Sequence, residues 1–429
     1  MNTDTSSRGH AGLRILMLAP QPFFEPRGTP FSEYHRIKAL VELGHTIDLV
    51  TYPFGRDVSL PNLRIIRAAR PPLVRTVAIG PSFRKLLLDM CLAVAAWRTA
   101  RQATYDVVHS HEEAGLLGVW LASRLGVPHV YDMHSSLPQQ LTNFGYSRSR
   151  VLQRHFEAAE RRMVERSQVI ITVCQQLLDA VRVMGVGQRA VLIENVMGGD
   201  FDQAAATASD ARSIRARWQV GADEPLVLYT GTLETYQGVD LLLSAAAILR
   251  RSHPRARVMI VGGTADQVSG ARAKAARRSV DAIFTGQRPA QEIADFVAAS
   301  DILVSPRIAG TNTPLKIYSY LRSKRPIVAT DLPTHTQVLT PDIAVLVPPD
   351  AAPFAAALGR LIDRPDERAA IAERAAAFAA TRYSRDVFID RTREAYEKLR
   401  LVPGGAPGLV ADRASRPLPD SHPVGSSRR

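Results

Sequence analysis

Short apolar runs alternate with longer stretches of helical periodicity from Leu13 onward, the pattern of parallel strands wrapped by helices. In the first half, RILMLA (14–19), TIDLVTY (46–52), DVVHSH (106–111), HVYDMH (129–134), VIITV (169–173) and AVLIEN (190–195) read as strands. Few polar positions interrupt them, as a sheet covered on both faces requires. The alternation lapses at GGDFDQAAATASDARS and a short Arg-rich helical stretch ending at Trp218, so residues 201–224 read as a linker. It restarts with LVLYTG (226–231), VMIVGG (258–263), AIFTG (282–286), ILVSP (302–306), IVAT (327–330) and AVLV (344–347). The reading is α/β: two doubly wound domains over 13–200 and 225–382, then a helix over 383–401. Such domains hold ligands at the carboxyl ends of their strands, which points to a cleft between the two. Residues 1–12 are polar and 402–429 are rich in Pro, Gly and Ser, so both ends are expected to be disordered.

Composition agrees with two sizeable cores: of 429 residues, 46% are hydrophobic and 22% charged, which excludes a wholly disordered chain. Cys91 and Cys174 lie in apolar stretches without metal-ligand spacing, and two cysteines exclude a disulfide scaffold. The segment nearest to a membrane span, LLLDMCLAVAAW (86–97), contains Asp89 and ends before Arg98. The apolar LRILMLAP behind the polar N-terminus is too short for a secretory core, so a cytoplasmic location is expected. The net charge of +13 is unevenly spread: residues 61–101 hold eight Arg or Lys against the single acid Asp89. A patch of that kind seeks phosphate, on nucleic acid, on a lipid headgroup or on a nucleotide.

Three segments carry the candidate chemistry. In PFFEPRGTPFSEYHRIKALVELGH, Gly28 gives a tight turn, Thr29 reads as a helix cap and Pro30 as the first helical position, so free backbone amides face the cleft. LVLYTGTLETYQGVDLLLSAAAIL repeats the design, with Gly231 ending a strand and Gly238 opening a helix. Two glycine turns, one per domain, favour a phosphate-bearing ligand, although strand-turn-helix units use glycine for geometry alone as well. In SPRIAGTNTPLKIYSYLRSKRPIVATDLP (305–333), Gly310 and Thr311 fall in a loop and Pro314 suits a first helical turn. Lys316 is then placed to reach a phosphate, and Asn312, Thr313 and Ser319 offer groups suited to sugar hydroxyls.

With these segments in hand, the chain resembles the retaining family-4 glycosyltransferases (glycosyl transferases group 1). TPLKIYSYLRSKRPIVATDLP looks like the signature of that family, and TGTLETYQGVDLLL and GTPFSEYHRIKALVELGHTIDLVT match its glycine segments in order and spacing over roughly residues 13–400. The resemblance implies a GT-B fold of two Rossmann-like domains, with a nucleotide-sugar donor bound mainly by the second and an acceptor mainly by the first. It implies transfer with retention and no required metal or other cofactor, and a C-terminal helix that returns to the first domain. By motif position, Gly28 and Thr29 approach the donor diphosphate from the first domain and Gly231, Thr232 and Lys316 from the second, while His134 matches the family histidine near the donor sugar. Lys316 and His134 are thus the catalytic candidates. Typical members carry an Arg and a Lys where this chain has Thr232 and Gln237, and two glutamates where it has Thr311 and Ser319. Lys316 is then expected to supply part of the lost charge, and Glu234, Asn312 or Thr313 the lost hydrogen bonds.

His109 and His111, two apart beside Glu112 and Glu113, invite a metal reading, but no third ligand has recognisable spacing, and none is assigned. His111 and Glu112 are taken as acceptor-site candidates. In the basic patch, cations alternate with apolar residues, so Arg75, Arg84 and Lys85 are assigned to an interfacial face on an anionic membrane, with a glycolipid, polyisoprenoid-linked or glycan acceptor. No nucleic-acid module is recognisable, and none is assigned as a partner. Two rivals remain: a catalytically silent relative that binds a nucleotide or a partner, and a sugar-nucleotide epimerase, which needs acid-base residues that spacing does not reveal.

Overall fold

The computed structural model describes residues 12–25, 28–72, 74, 77, 83–138, 150–195 and 208–399. Among the described residues, thirteen strands form two all-parallel sheets. The first contains β1 (Arg14–Ala19), β2 (Thr46–Thr51), β3 (Leu63–Arg67), β4 (Val107–His111), β5 (His129–Met133), β6 (Val169–Thr172) and β7 (Ala190–Leu192), in the order β3-β2-β1-β4-β5-β6-β7. The second contains β8 (Leu226–Thr230), β9 (Arg257–Val261), β10 (Ala282–Gly286), β11 (Ile302–Ser305), β12 (Ile327–Thr330) and β13 (Val345–Val347), in the order β10-β9-β8-β11-β12-β13. In each sheet the order reverses beside the first strand, β1 or β8, which opens a crevice at the carboxyl ends. Central strands are apolar because both faces are covered. Ile15 and Met17 pack on one side of the first sheet and Leu16 and Leu18 on the other.

The unforeseen strand is β3. It lies at the edge of the first sheet, pairs with β2 from Leu63 to Arg67, and is only partly covered, so its sequence LRIIR lacks the apolar run of a central strand. The segment read as a linker, 201–224, carries a helix from Ala208 to Arg217, and Ile214 and Val220 join the core of the second domain. The expected disordered ends lie outside the described residues, apart from Gly12.

Helix Pro365–Arg382 packs on the second domain through Ile371, Ala375 and Ala379. The chain then crosses over. Helix Arg385–Lys398 buries Phe388, Ala395 and Tyr396 in the core of the first domain, with Leu399 just beyond it. Thr392 of this helix accepts a hydrogen bond from Arg36 at 3.0 Å, and the Tyr396 hydroxyl meets His109 Nδ1 at 2.7 Å.

Candidate active site

The carboxyl ends of β1, β4 and β5 face those of β8, β9, β10 and β11 across a cleft of about 1970 Å³. On the first-domain wall, Gly28 opens helix Gly28–Glu42 at φ 52, a conformation glycine adopts without strain. The helix starts earlier than the sequence implied. Thr29 lies in its first turn and does not cap it, although Thr29 still lines the cleft.

Behind this wall lies a buried charge cluster. Arg36 Nε donates to Asp132 Oδ2 at 2.9 Å, both side chains being almost fully buried. Burial alone would raise the Asp132 carboxyl, but Arg36, with His134 and His109, outweighs it and holds the group well below the usual carboxylate range. His134 lines the cleft just past β5, its Nε2 3.3 Å from Asp132 Oδ1 and 3.1 Å from His111 Nδ1. Burial lowers the pKa of His134, despite the attraction of Asp132, so the ring is neutral near pH 7. A neutral ring with one nitrogen engaged is suited to orienting a hydroxyl.

His111 is not on the cleft surface. As the last residue of β4 it is fully buried, packed between His109 and His134, and burial lowers its pKa strongly. Glu112, immediately after it, does line the cleft and accepts a hydrogen bond from Ser135 Oγ at 2.6 Å. Burial, and next Glu113, push the Glu112 carboxyl up to about 7. His109, His111 and Asp132 bring one ligand atom each within 4.8 Å, the third partner that spacing alone did not show. The Arg36 guanidinium occupies the same carboxylate and disfavours a cation there.

Lys85 was expected to face a membrane. Instead helix Phe83–Ala100 turns it into the cleft, where it pairs with Glu113, because a partly buried ammonium is stabilised by an adjacent carboxylate. Arg84 is exposed, and Arg75 lies outside the described residues.

The second-domain wall is built around Gly231, which follows β8 at φ 140. The Tyr229 hydroxyl donates to the Thr232 carbonyl at 2.6 Å and pins the turn. Lys316 Nζ lies 3.7 Å from the centre of the Tyr229 ring and donates to the Thr230 carbonyl at 3.0 Å. Burial, and next the Arg307 charge, hold the Lys316 pKa well below its ordinary value. Glu234 lines the cleft with one carboxylate oxygen accepting from Gln267 Nε2 at 2.8 Å. Gln237 also lines it, at the turn before Gly238.

Past β11, Gly310, Thr311, Asn312, Pro314 and Ser319 line the cleft, and Thr313 does not: its side chain is buried behind the wall. Pro314 is the residue before helix Leu315–Arg322, in extended conformation, and not in its first turn. The Asn312 amide, expected to meet a sugar, instead donates to the His134 carbonyl across the cleft, and its oxygen lies 3.7 Å from Cys174 Sγ. Cross-domain polar contacts of this kind were invisible to spacing. Asp132, Arg36 and Arg307 were also missed. The available signal was position: Asp132 is two residues before His134, and Arg307 directly follows a strand, where side chains meet a ligand.

Two family models match the chain, Glycosyltransferase Family 4 over residues 34–197 and glycosyl transferases group 1 over residues 224–364. Among curated proteins, the phosphatidyl-myo-inositol mannosyltransferase of Propionibacterium freudenreichii is 24% identical over 338 residues, 77% of this chain and 80% of that protein. Among solved structures, Anabaena HepE in complex with UDP and glucose superposes with a TM-score of 0.70 at 18% identity, covering 90% of this chain and 99% of that one. The sucrose-phosphate synthase of Thermosynechococcus elongatus gives 0.73 at 19% identity, covering 91% and 99%.

Proposed function

The chain belongs to the group 1, family-4 glycosyltransferases of GT-B fold, and from that membership we propose that it moves a sugar from a nucleoside-diphosphate sugar to a hydroxyl of a lipid-linked or glycan acceptor, with retention of anomeric configuration. The observation that carries the reading is the cleft itself: a glycine turn on each wall, with His134 on one side and the Lys316 amino group on the other. The UDP and glucose of the Anabaena structure support a nucleotide-sugar donor.

The chemistry is leaving-group departure. The bond between the anomeric carbon and the diphosphate oxygen breaks, the electron pair stays on the phosphate, and the acceptor oxygen bonds to the same face as its proton passes to the departing phosphate. In this reading Lys316 and the amino end of helix Leu315–Arg322 stabilise that negative charge as it develops, and the contacts of Lys316 with Tyr229 and Thr230, which fix its side chain in advance, support the role. His134 orients a donor hydroxyl, and Glu112, with Lys85 and Glu113 beside it, faces the acceptor. The reaction in this reading takes place at the cytoplasmic face of a membrane and needs no metal.

The test is a panel of UDP-, GDP- and ADP-sugars, with and without a chelator, read by thermal stabilisation and by NMR of the product anomer. One sugar nucleotide raises the unfolding temperature, chelation changes nothing, and the product keeps the donor's anomeric configuration. An inverted product would overturn retention. A changed sugar nucleotide released without acceptor would replace the transferase by an epimerase, and binding without any turnover would replace it by a silent relative.

A further inference from the structure

Two cations share the second-domain wall without an acid between them. Arg307 follows β11 and Lys316 sits in the first turn of the next helix, and both line the cleft. Among the described residues neither forms an ion pair. Arg307 is held by neutral acceptors instead: Nε donates to Gln237 Oε1 at 3.3 Å, and one terminal nitrogen to the Asn312 carbonyl at 2.9 Å and to Thr334 Oγ1 at 3.0 Å. Its guanidinium also lies 5.3 Å from the centre of the Tyr236 ring. Lys316 is held by the Thr230 carbonyl and the Tyr229 ring. These contacts fix both side chains and neutralise neither.

Burial lowers the pKa of Arg307, and burial, with the Arg307 charge next, lowers that of Lys316 well below its ordinary value. A guanidinium and an ammonium on the same partly dry wall are unfavourable together, which helps to hold the Lys316 pKa down, and an anion joining them restores the ammonium. The nearby carboxylate, Glu234, is turned toward Gln267. A charge-balanced site therefore needs a ligand with at least two negative charges, and a guanidinium beside an ammonium matches two adjacent phosphates.

We propose that Arg307 and Lys316 together bind the diphosphate of the donor, Arg307 being the second cation of the leaving-group site, in a wall where Thr232 and Gln237 place none. The proposal rests on the glycosyltransferase reading above. As the bond from the anomeric carbon to the bridging oxygen breaks and the electron pair stays on the phosphate, the guanidinium stabilises the added charge, and the acceptor proton leaves on the same phosphate. Gly238 makes the arrangement possible: a Cβ there would lie 1.8 Å from the Pro306 carbonyl oxygen, so only glycine lets the strand end that carries Arg307 come down onto Gln237.

The experiment is calorimetric titration of UDP, GDP and ADP, their monophosphates, and inorganic pyrophosphate into the wild type and variants. Arg307→Gln is expected to weaken the preferred diphosphate by about 10- to 100-fold and the monophosphate by less, with partial rescue in Arg307→Lys. Gln237→Glu guards against a folding defect. It supplies the missing counter-ion in place, so unliganded stability holds or rises while diphosphate affinity falls at least about 10-fold. Equal diphosphate affinity in wild type, Arg307→Gln and Gln237→Glu overturns the cation pair and leaves the transferase reading standing. Arg307-dependent binding of pyrophosphate without any sugar-nucleotide turnover upholds the pair and removes the transferase reading instead.

Discussion

Glu112 directly follows β4 in left-handed conformation, φ 49, with its carboxyl buried and pushed up to about 7 by burial and by Glu113. A carboxyl whose folded pKa is raised contributes stability that is fully present below its unfolded pKa and lost as pH rises through the folded one. The window is therefore from about pH 4.5 to about pH 7, and the loss across it is roughly 3 kcal/mol at 1.36 kcal/mol per unit. Glu112→Gln removes that slope: urea unfolding at several pH values is expected to show the variant gaining on the wild type across the window and level above it. A difference that does not change with pH would contradict the raised carboxyl. Glu33, also fully buried, has both oxygens without a hydrogen bond among the described residues, and burial, then Glu112, raise it in the same direction. Glu112 was taken as an acceptor-site candidate from the sequence, but the raised pKa of neither acid could be read there, since it is a property of tertiary neighbours. The glycines and Lys316 were legible because turn geometry and a cation near a helix start are local facts. Asp132 and Arg307 were not, because what makes each of them part of the site is a partner far away in the chain, Arg36 for one and Gln237 for the other.

Among the elements, the strand-turn-helix unit after β8 depends on a single glycine. The turn Thr235–Gln237 ends at Gly238, φ 73, which starts helix Val239–Ser252, and Ile308 N donates to the Tyr236 carbonyl at 3.0 Å. Gly238→Ala meets both the left-handed backbone and the Pro306 carbonyl, so it is expected to cost at least about 2 kcal/mol, read as a lowered urea midpoint at unchanged slope. It should also weaken diphosphate binding, since the same contact seats Arg307. Unchanged stability would mean the two loops part without penalty and would contradict the close approach. Central strands were legible as apolar runs, and all twelve candidates have an observed counterpart. The edge strand β3 was not, because half-covered positions tolerate Arg64 and Arg67, whose side chains pair with Asp48 and Asp57. Arg215 in helix Ala208–Arg217 shows the same limit: it pairs with Asp301 at 2.7 Å, a contact that joins the supposed linker to the second domain and that no local pattern announces.

For the whole molecule, the remaining question is how a lipid acceptor would reach the cleft, and helix Phe83–Ala100 offers a route. Its opening turns put Lys85 on the cleft wall, while Leu86, Met90, Val94 and Trp97, spaced by four, four and three residues, are exposed along another face. Trp97 lies 5.2 Å from Trp120, ring centre to ring centre, so Leu116 and Trp120 of the neighbouring helix extend the apolar surface. Exposed Arg84, Arg98, Arg101 and Arg124 belong to the same two helices and their ends. No helix among the described residues is long and apolar enough to cross a membrane, so contact through this face would be interfacial. With Lys85 committed to Glu113, the arginines would carry the electrostatic part of such a contact, about 1 kcal/mol each near an anionic surface. Reversing all four to Glu should therefore lower partitioning onto phosphatidylglycerol vesicles by about three orders of magnitude or more, while Leu86→Ser with Trp97→Ser weakens it without changing its salt dependence. Phosphatidylcholine vesicles are the control and should bind weakly throughout. Sedimentation with anionic vesicles that is the same for the wild type and the four-fold reversal would remove the membrane from the reading. A soluble glycan acceptor would then be the one that enters the cleft past Glu112 and Lys85.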